Sequence, residues 1–243
     1  MSDEFDEIVS DMEDQLDLTL YADSEELAEE VAAQILVAVE NGLFTRGQFH
    51  LVLTGGTLGM AISQLLVAAF NSAPEMYAGL HIWFSDERFV EIDSPERNAA
   101  PWHGNLTNSN IVLHQTLSPD APATIEEAVE DYAREIDGVT IDLNILGVGP
   151  DGHVASIFPG SSDLEDQRKI FAVVNSPKPP AQRISFTMQF INQGREVWIV
   201  AAGENKGEAV AKIIEGDLSI PASYVSALER TRLIVDQPAF FAE

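Results

Sequence analysis

At 243 residues, 45 % of them hydrophobic, the chain can bury one large α/β core, while 40 acidic against 13 basic residues, a formal charge of −27, make nucleic acid and anionic membrane surfaces poor partners. The absence of cysteine excludes disulfides, a thiolate nucleophile and cysteine-ligated metal, and five scattered histidines without H-x-x-x-H spacing argue against a dedicated metal site. No stretch approaches ~18 consecutive apolar residues, and the N-terminus is acidic where a secretory signal is basic and then apolar, so a cytoplasmic protein without membrane partners is expected.

An acidic tail over residues 1–15 precedes the first periodic segment, and residues 16–243 read as one domain. Residues 23–43 carry apolar side chains at helical spacing, with Asp23 as N-cap, Glu26 in the capping-box position and Gly42 placed to end the helix. A short β-rich run at 49–54 is followed by a helix over 57–71, and a buried-type strand follows at 80–86. Residues 86–123, rich in Pro, Asn, Asp and Ser, read as loop with short helices. A helix over 124–137 opens on Thr124 with Glu127 three residues on. Strands are expected at 141–147, 171–175, 183–187, 195–203 and 231–236, with a helix at 205–216 before the last. Short apolar runs without clean alternation, separated by amphipathic helices, indicate a doubly wound, mostly parallel sheet with helices on both faces. In such a fold ligands sit beyond the carboxyl ends of the strands.

Four loops follow strand ends. "TGGT", Thr54 to Thr57, combines two glycines with a helix start, the ingredients of a phosphate cradle, though an ordinary turn has the same composition. "SDER" puts Asp86, Glu87 and Arg88 at the end of an apolar strand, and Arg97 and Asn98 follow in the same loop region. "GVGPDGHVASIFPG", residues 147–160, satisfies G-x-G-x-x-G, but Pro159 interrupts any helix after Gly152 and the next strand ends without a carboxylate, so the dinucleotide reading fails. The turn instead presents Asp151 and His153, an imidazole suited to general-base work at neutral pH beside a carboxylate able to fix its tautomer. "NSPKPPAQRISFT" places Lys178 and Arg183 in the fourth loop. In so acidic a chain an anionic ligand needs its few bases gathered, and Arg88, Arg97, Lys178 and Arg183 all lie just past strand ends.

Taken in order, "TGGT", "SDERFV", "LGVGPDGHVASIFPG", "PKPPAQRISFT" and "AAGENK" resemble the 6-phosphogluconolactonase family, within the group it shares with glucosamine-6-phosphate deaminase. The resemblance implies hydrolysis of 6-phospho-D-glucono-1,5-lactone, a sugar-phosphate substrate, with no metal or organic cofactor and a monomer or weak dimer. It implies His153 as catalytic base with Asp151 and Asp86 beside it, and a phosphate held by Gly55, Gly56, Thr57, Arg88, Lys178 and Arg183. Thr54, Arg97 and Asn98 are possible additions; Arg97 stands where many members have serine, and either meets the phosphate or pairs with nearby acids. Deaminases similar to this chain carry a glutamate five residues beyond the histidine, where Phe158 stands here, and a tyrosine at the position of Arg88. An aldose–ketose isomerase, or a non-catalytic sugar-phosphate sensor, is the alternative.

Overall fold

The computed structural model describes residues 17–120, 123–161, 164 and 166–242; the acidic tail lies outside them. Seven strands form one parallel sheet: β1 (Leu18–Tyr21), β2 (Phe49–Leu53), β3 (Leu80–Phe84), β5 (Val112–Leu113), β6 (Leu143–Gly147), β9 (Glu196–Ala201) and β10 (Arg230–Asp236), in the order β1-β10-β9-β6-β2-β3-β5. The chain builds outward from β2 through β3 to β5, then returns beside β2 as β6 and builds the other way. The reversal falls between β2 and β6, where the loops after two neighbouring strands diverge and leave a crevice.

Each buried strand feeds both faces. Val52, Leu146, Val197, Ile199, Leu233 and Val235 belong to one apolar cluster, while Leu51, Leu53, Ile145, Trp198, Val200 and Ile234 belong to the other. α1 (Ser24–Arg46) and α2 (Gly56–Ser72) cover the second face; α3 (Ile125–Glu135) and α5 (Gly207–Glu215) cover the first. In α1 the residues Leu27, Val31, Ile35 and Val39, four apart, are fully buried. Each such side chain contributes roughly 1.5–3 kcal/mol of burial, and truncating one to alanine costs about 2–5 kcal/mol. Among the described residues the remaining α-helices are the short α4 (Met188–Ile191) and α6 (Gln237–Phe240).

The N-termini follow expectation. Asp23 accepts from the N–H groups of Glu25 and Glu26, and Glu26 reaches back to the N–H of Ala22 rather than of the cap itself. Thr124 and Glu127 form a reciprocal capping box on α3. The end of α1 does not fall at Gly42. That glycine is buried in the helix, where a Cβ would stand 2.1 Å from the Phe49 ring. The helix runs on to Gly47, whose φ of 76° is the left-handed cap and whose N–H reaches the Leu43 carbonyl. The sequence reading also left out β1, which pairs with β10 at the other end of the chain.

The expected strands at 171–175 and 183–187 leave the main sheet. β7 (Ile170–Val173) and β8 (Arg183–Phe186) join β4 (Asp86–Arg88) in a small antiparallel sheet of order β4-β8-β7. This sheet brings the loop after β3 against the Lys178–Arg183 loop, opposing Asp86 to Ser185 and Arg88 to Arg183.

Candidate active site

At the switch point Thr54 Oγ1 accepts the N–H of Gly147 at 3.3 Å, tying the end of β2 to the end of β6. Beside this link lies a cleft of about 190 Å³ bordered by Gly55, Gly56, Asp86, Arg88, Asn98, His153, Lys178, Arg183 and Lys206. It shares Gly55, Gly56, Gly147 and Lys206 with a second lobe of about 370 Å³ that extends along the start of α2 past Thr57. Gly56 opens α2 with backbone N–H groups that have no partner within the helix, the arrangement that receives an anion.

The loop after β6 aims the imidazole. Gly149 N–H bonds the His153 carbonyl at 2.8 Å, and a Cβ on Gly149 would stand 1.9 Å from His153 Nδ1, so no larger residue fits under the ring. Nδ1 lies 2.5 Å from Asp151 Oδ1, and Lys178 Nζ reaches the same carboxylate oxygen at 3.1 Å. The ionised carboxylate can only accept, so Nδ1 donates to it and Nε2 is the basic nitrogen; the Lys178 ammonium, 3.2 Å from Nδ1, is a charge beside the ring and not a donor to it. Burial raises the Asp151 carboxyl, but the bond to His153, the charge that ring carries when protonated, and Lys178 overcome it and hold it down at about 2. Burial holds the His153 pKa below the ordinary imidazole value and Lys178 adds to that, against the opposing pull of Asp151 and Asp86. A largely buried, neutral imidazole with a fixed tautomer is equipped to take a proton.

Past His153 the chain makes a strained turn. Ala155 has φ of 49°, and bridges from Val154 to Val148 and to Ile157 fold the segment back on itself. Ser156 is thereby turned inward to donate to Asp86 Oδ2 at 2.6 Å, while Asn98 Nδ2 donates to Asp86 Oδ1 at 2.9 Å. Both oxygens of this buried carboxylate are occupied. Among the described residues its hydrogen bonds go to Asn98 and Ser156, not to His153, and Arg183 Nη1 stands 3.8 Å away. Asp86 therefore acts on His153 through its field rather than by contact.

The bases divide. Arg97 is fully buried away from the cleft: its Nη atoms donate to the Val90 and Thr116 carbonyls and the Thr116 hydroxyl, and its Nε faces Glu87 at 3.7 Å. Of the two roles open to it, the structure assigns pairing. Burial raises the Glu87 carboxyl, opposed by Arg97 and by the N–H groups of Asn98, Ala99 and Arg88. Arg183 borders the cleft with each nitrogen engaged, Nη2 on the Lys178 and Pro179 carbonyls, Nε on Pro180 and Nη1 on Ser156. Arg88 donates one Nη to the Glu96 carbonyl, and its buried Nε has no hydrogen-bond partner among the described residues. Arg88 and Arg183 face each other across β4 and β8, a like-charge pair that an anion between them relieves.

Lys206 is the cleft residue that sequence reasoning missed. It follows β9 in a short turn over Glu204–Lys206 and borders both lobes, and its ammonium is pushed below the usual value by burial and by Lys178. The signal was present in "AAGENK", a base just past a strand end in a chain with only four lysines. A larger cavity of about 550 Å³ opens at the amino ends of β2, β6, β9 and β10. There Arg46 and Arg195 share Asp142, Arg195 also meets Glu229, and Arg230 and Arg232 share Asp17, so each of its arginines has an acidic neighbour.

A 6-phosphogluconolactonase of Streptomyces coelicolor is 34 % identical over 251 residues, covering 94 % of this chain and 95 % of that protein. One from Rattus norvegicus is 38 % identical over 210 residues, covering 82 % and 80 %. The crystal structure of 6-phosphogluconolactonase from Thermotoga maritima superposes with a TM-score of 0.77 at 28 % identity, covering 90 % of this chain and 99 % of that one. The sequence profile described as glucosamine-6-phosphate isomerases/6-phosphogluconolactonase matches residues 22–235, and on these similarities the chain belongs to that family.

Proposed function

We propose that this chain hydrolyses 6-phospho-D-glucono-1,5-lactone to 6-phosphogluconate, with His153 as the general base and no metal. The observation that carries the reading is His153 itself: Nδ1 bound to Asp151 at 2.5 Å, Nε2 left basic, in a cleft where Arg88, Lys178, Arg183 and Lys206 converge. The phosphate is received by the N–H groups at Gly55–Thr57, with Arg88, Lys178 and Lys206 supplying positive charge. Arg183 anchors the loop that carries Lys178. Anchored there, the substrate presents its lactone carbonyl to His153 without a bimolecular search.

In this scheme Nε2 takes a proton from water as the water oxygen bonds to C1, and the carbonyl oxygen becomes an oxyanion stabilised by backbone N–H groups. Collapse restores the carbonyl and breaks the bond from C1 to the ring oxygen. The imidazolium then returns its proton to that oxygen. Phe158 supports the hydrolase over an aldose–ketose isomerase, because no acid/base group stands five residues past His153 to open a sugar ring.

The test is a coupled assay in which the lactone is generated in situ from glucose 6-phosphate and its removal is followed above spontaneous opening. Removal well above background and unaffected by chelator is the expected result. Ammonia release from glucosamine 6-phosphate without lactone hydrolysis would overturn the reading in favour of the isomerase.

A further inference from the structure

Phe158 does more than occupy a position where an acid is absent. Its ring is almost fully buried, with its centroid 4.7 Å from that of His153 at an interplanar angle of 31°, and the Arg183 guanidinium lies 5.8 Å from its centre on the cation–π side. The phenyl ring thus neighbours both the imidazole and a permanent cation that itself grips the Lys178–Pro180 carbonyls and Ser156. We propose that Phe158 is a positioning residue of the reaction: its ring, clamped against Arg183, walls one face of His153 from water and fixes the imidazole plane.

The inference rests on the hydrolase reading above. Three observations support it together. The back-folded turn at Ala155 delivers Phe158 to this place, because the Val154–Ile157 bridge reverses the chain immediately before it. Gly149 closes against the Nδ1 edge of the same ring, so the imidazole is held at an edge by the glycine turn and at a face by the phenyl. Burial is the largest influence keeping the His153 pKa low, and the Phe158 ring packs directly on that imidazole. The charged groups facing His153 are Asp151 and Lys178 from its own turn and the Lys178–Arg183 loop, Asp86 from β4, and Lys206 and Arg88 across the cleft. None of them excludes water as an apolar ring does.

The experiment follows the His153 imidazole by NMR across pH, without substrate, in the unsubstituted chain and in Phe158→Ala, Phe158→Leu and Phe158→Tyr, alongside the pH dependence of kcat/KM. In Phe158→Ala the His153 midpoint should rise toward the ordinary value of ~6.5. The acid limb of kcat/KM should rise with it, and kcat should fall about ten-fold with KM changed far less. Phe158→Tyr, which keeps the ring, should retain the low midpoint. Phe158→Leu, which fills the space without a flat face, guards against loss of folding in the alanine variant and should shift the midpoint by a smaller amount. An unmoved midpoint in both the alanine and leucine variants of a chain that hydrolyses lactone overturns this inference alone. If the unsubstituted chain hydrolyses no lactone, the functional reading fails first and takes the reaction role of Phe158 with it.

Discussion

Four of the five histidines gather in two places, and the contrast shows what makes an imidazole available for chemistry. His50, His81 and His114 form a ladder on the sheet: His50 stacks on His81 at 4.6 Å, His81 Nδ1 meets His114 Nε2 at 3.0 Å, and His114 stacks on Trp83 at 3.5 Å. Trp83 Nε1 donates to His50 Nδ1, and Glu135 closes the row on His114. Burial depresses His50 to about 4 and lowers His81, as it lowers His153. A depressed pKa therefore does not distinguish the two places. What differs is the setting: the ladder rings stack on one another and on Trp83, whereas His153 bonds Asp151 through Nδ1 and stands at a cleft with four bases.

The largest test of the contrast is His153→Ala, which should lower turnover by roughly 10²–10⁴-fold with substrate affinity nearly intact, while His81→Ala leaves turnover within about three-fold. Comparable losses from both variants would erase the distinction. The same contrast runs through the arginines. Arg97→Met strips the partner from buried Glu87 and should cost about 3–5 kcal/mol of stability in urea unfolding, with kcat/KM per folded molecule little changed. Arg88→Ala should leave stability alone and raise KM by roughly ten- to a hundred-fold, because a charged hydrogen bond to a non-reacting group is worth about 1.5–3 kcal/mol. The smallest expected effect is a slope. An imidazole held below its unfolded value of ~6.5 adds stability that is complete above that pH and is lost as pH falls through the folded value. Thermal stability should thus decline from near pH ~6.5 toward about 4, the value to which His50 is depressed, and His50→Gln, which keeps an acceptor for Trp83 but does not titrate, should flatten the decline.

The sequence exposed the site more fully than it exposed the scaffold. The loops after β2, β3, β6 and β7 were legible because glycines, prolines and charges at strand ends break the local pattern, and the structure brings all of them to one crevice. Pairings across long separations were not legible. β1 is four residues that pair with β10, and nothing near Leu18 announces Leu233. The antiparallel trio of β4, β8 and β7 was hidden for the same reason, and with it the opposition of Arg88 to Arg183. Arg97 shows the limit of counting bases: its place past a strand end resembled that of Arg88, and only the packing of Val90, Thr116 and Glu87 around it reveals that it never meets the cleft. Lys206 shows the opposite error, a base in plain view past a strand end and between Gly203 and Gly207, whose place at the cleft only the fold reveals.

The uneven placement of charge also bears on the order of events in a catalytic cycle. Bases in the cleft form a small attractive spot on a molecule of formal charge −27, so capture of a dianionic phosphate ester is short-ranged and weakened by salt. Opening a lactone creates a carboxylate. The product leaves the cleft carrying one more negative charge than the substrate brought, against the same few bases and the same surrounding acid. In the proposed reaction the long-range field of the acidic surface that opposes arrival also favours departure of the more highly charged product.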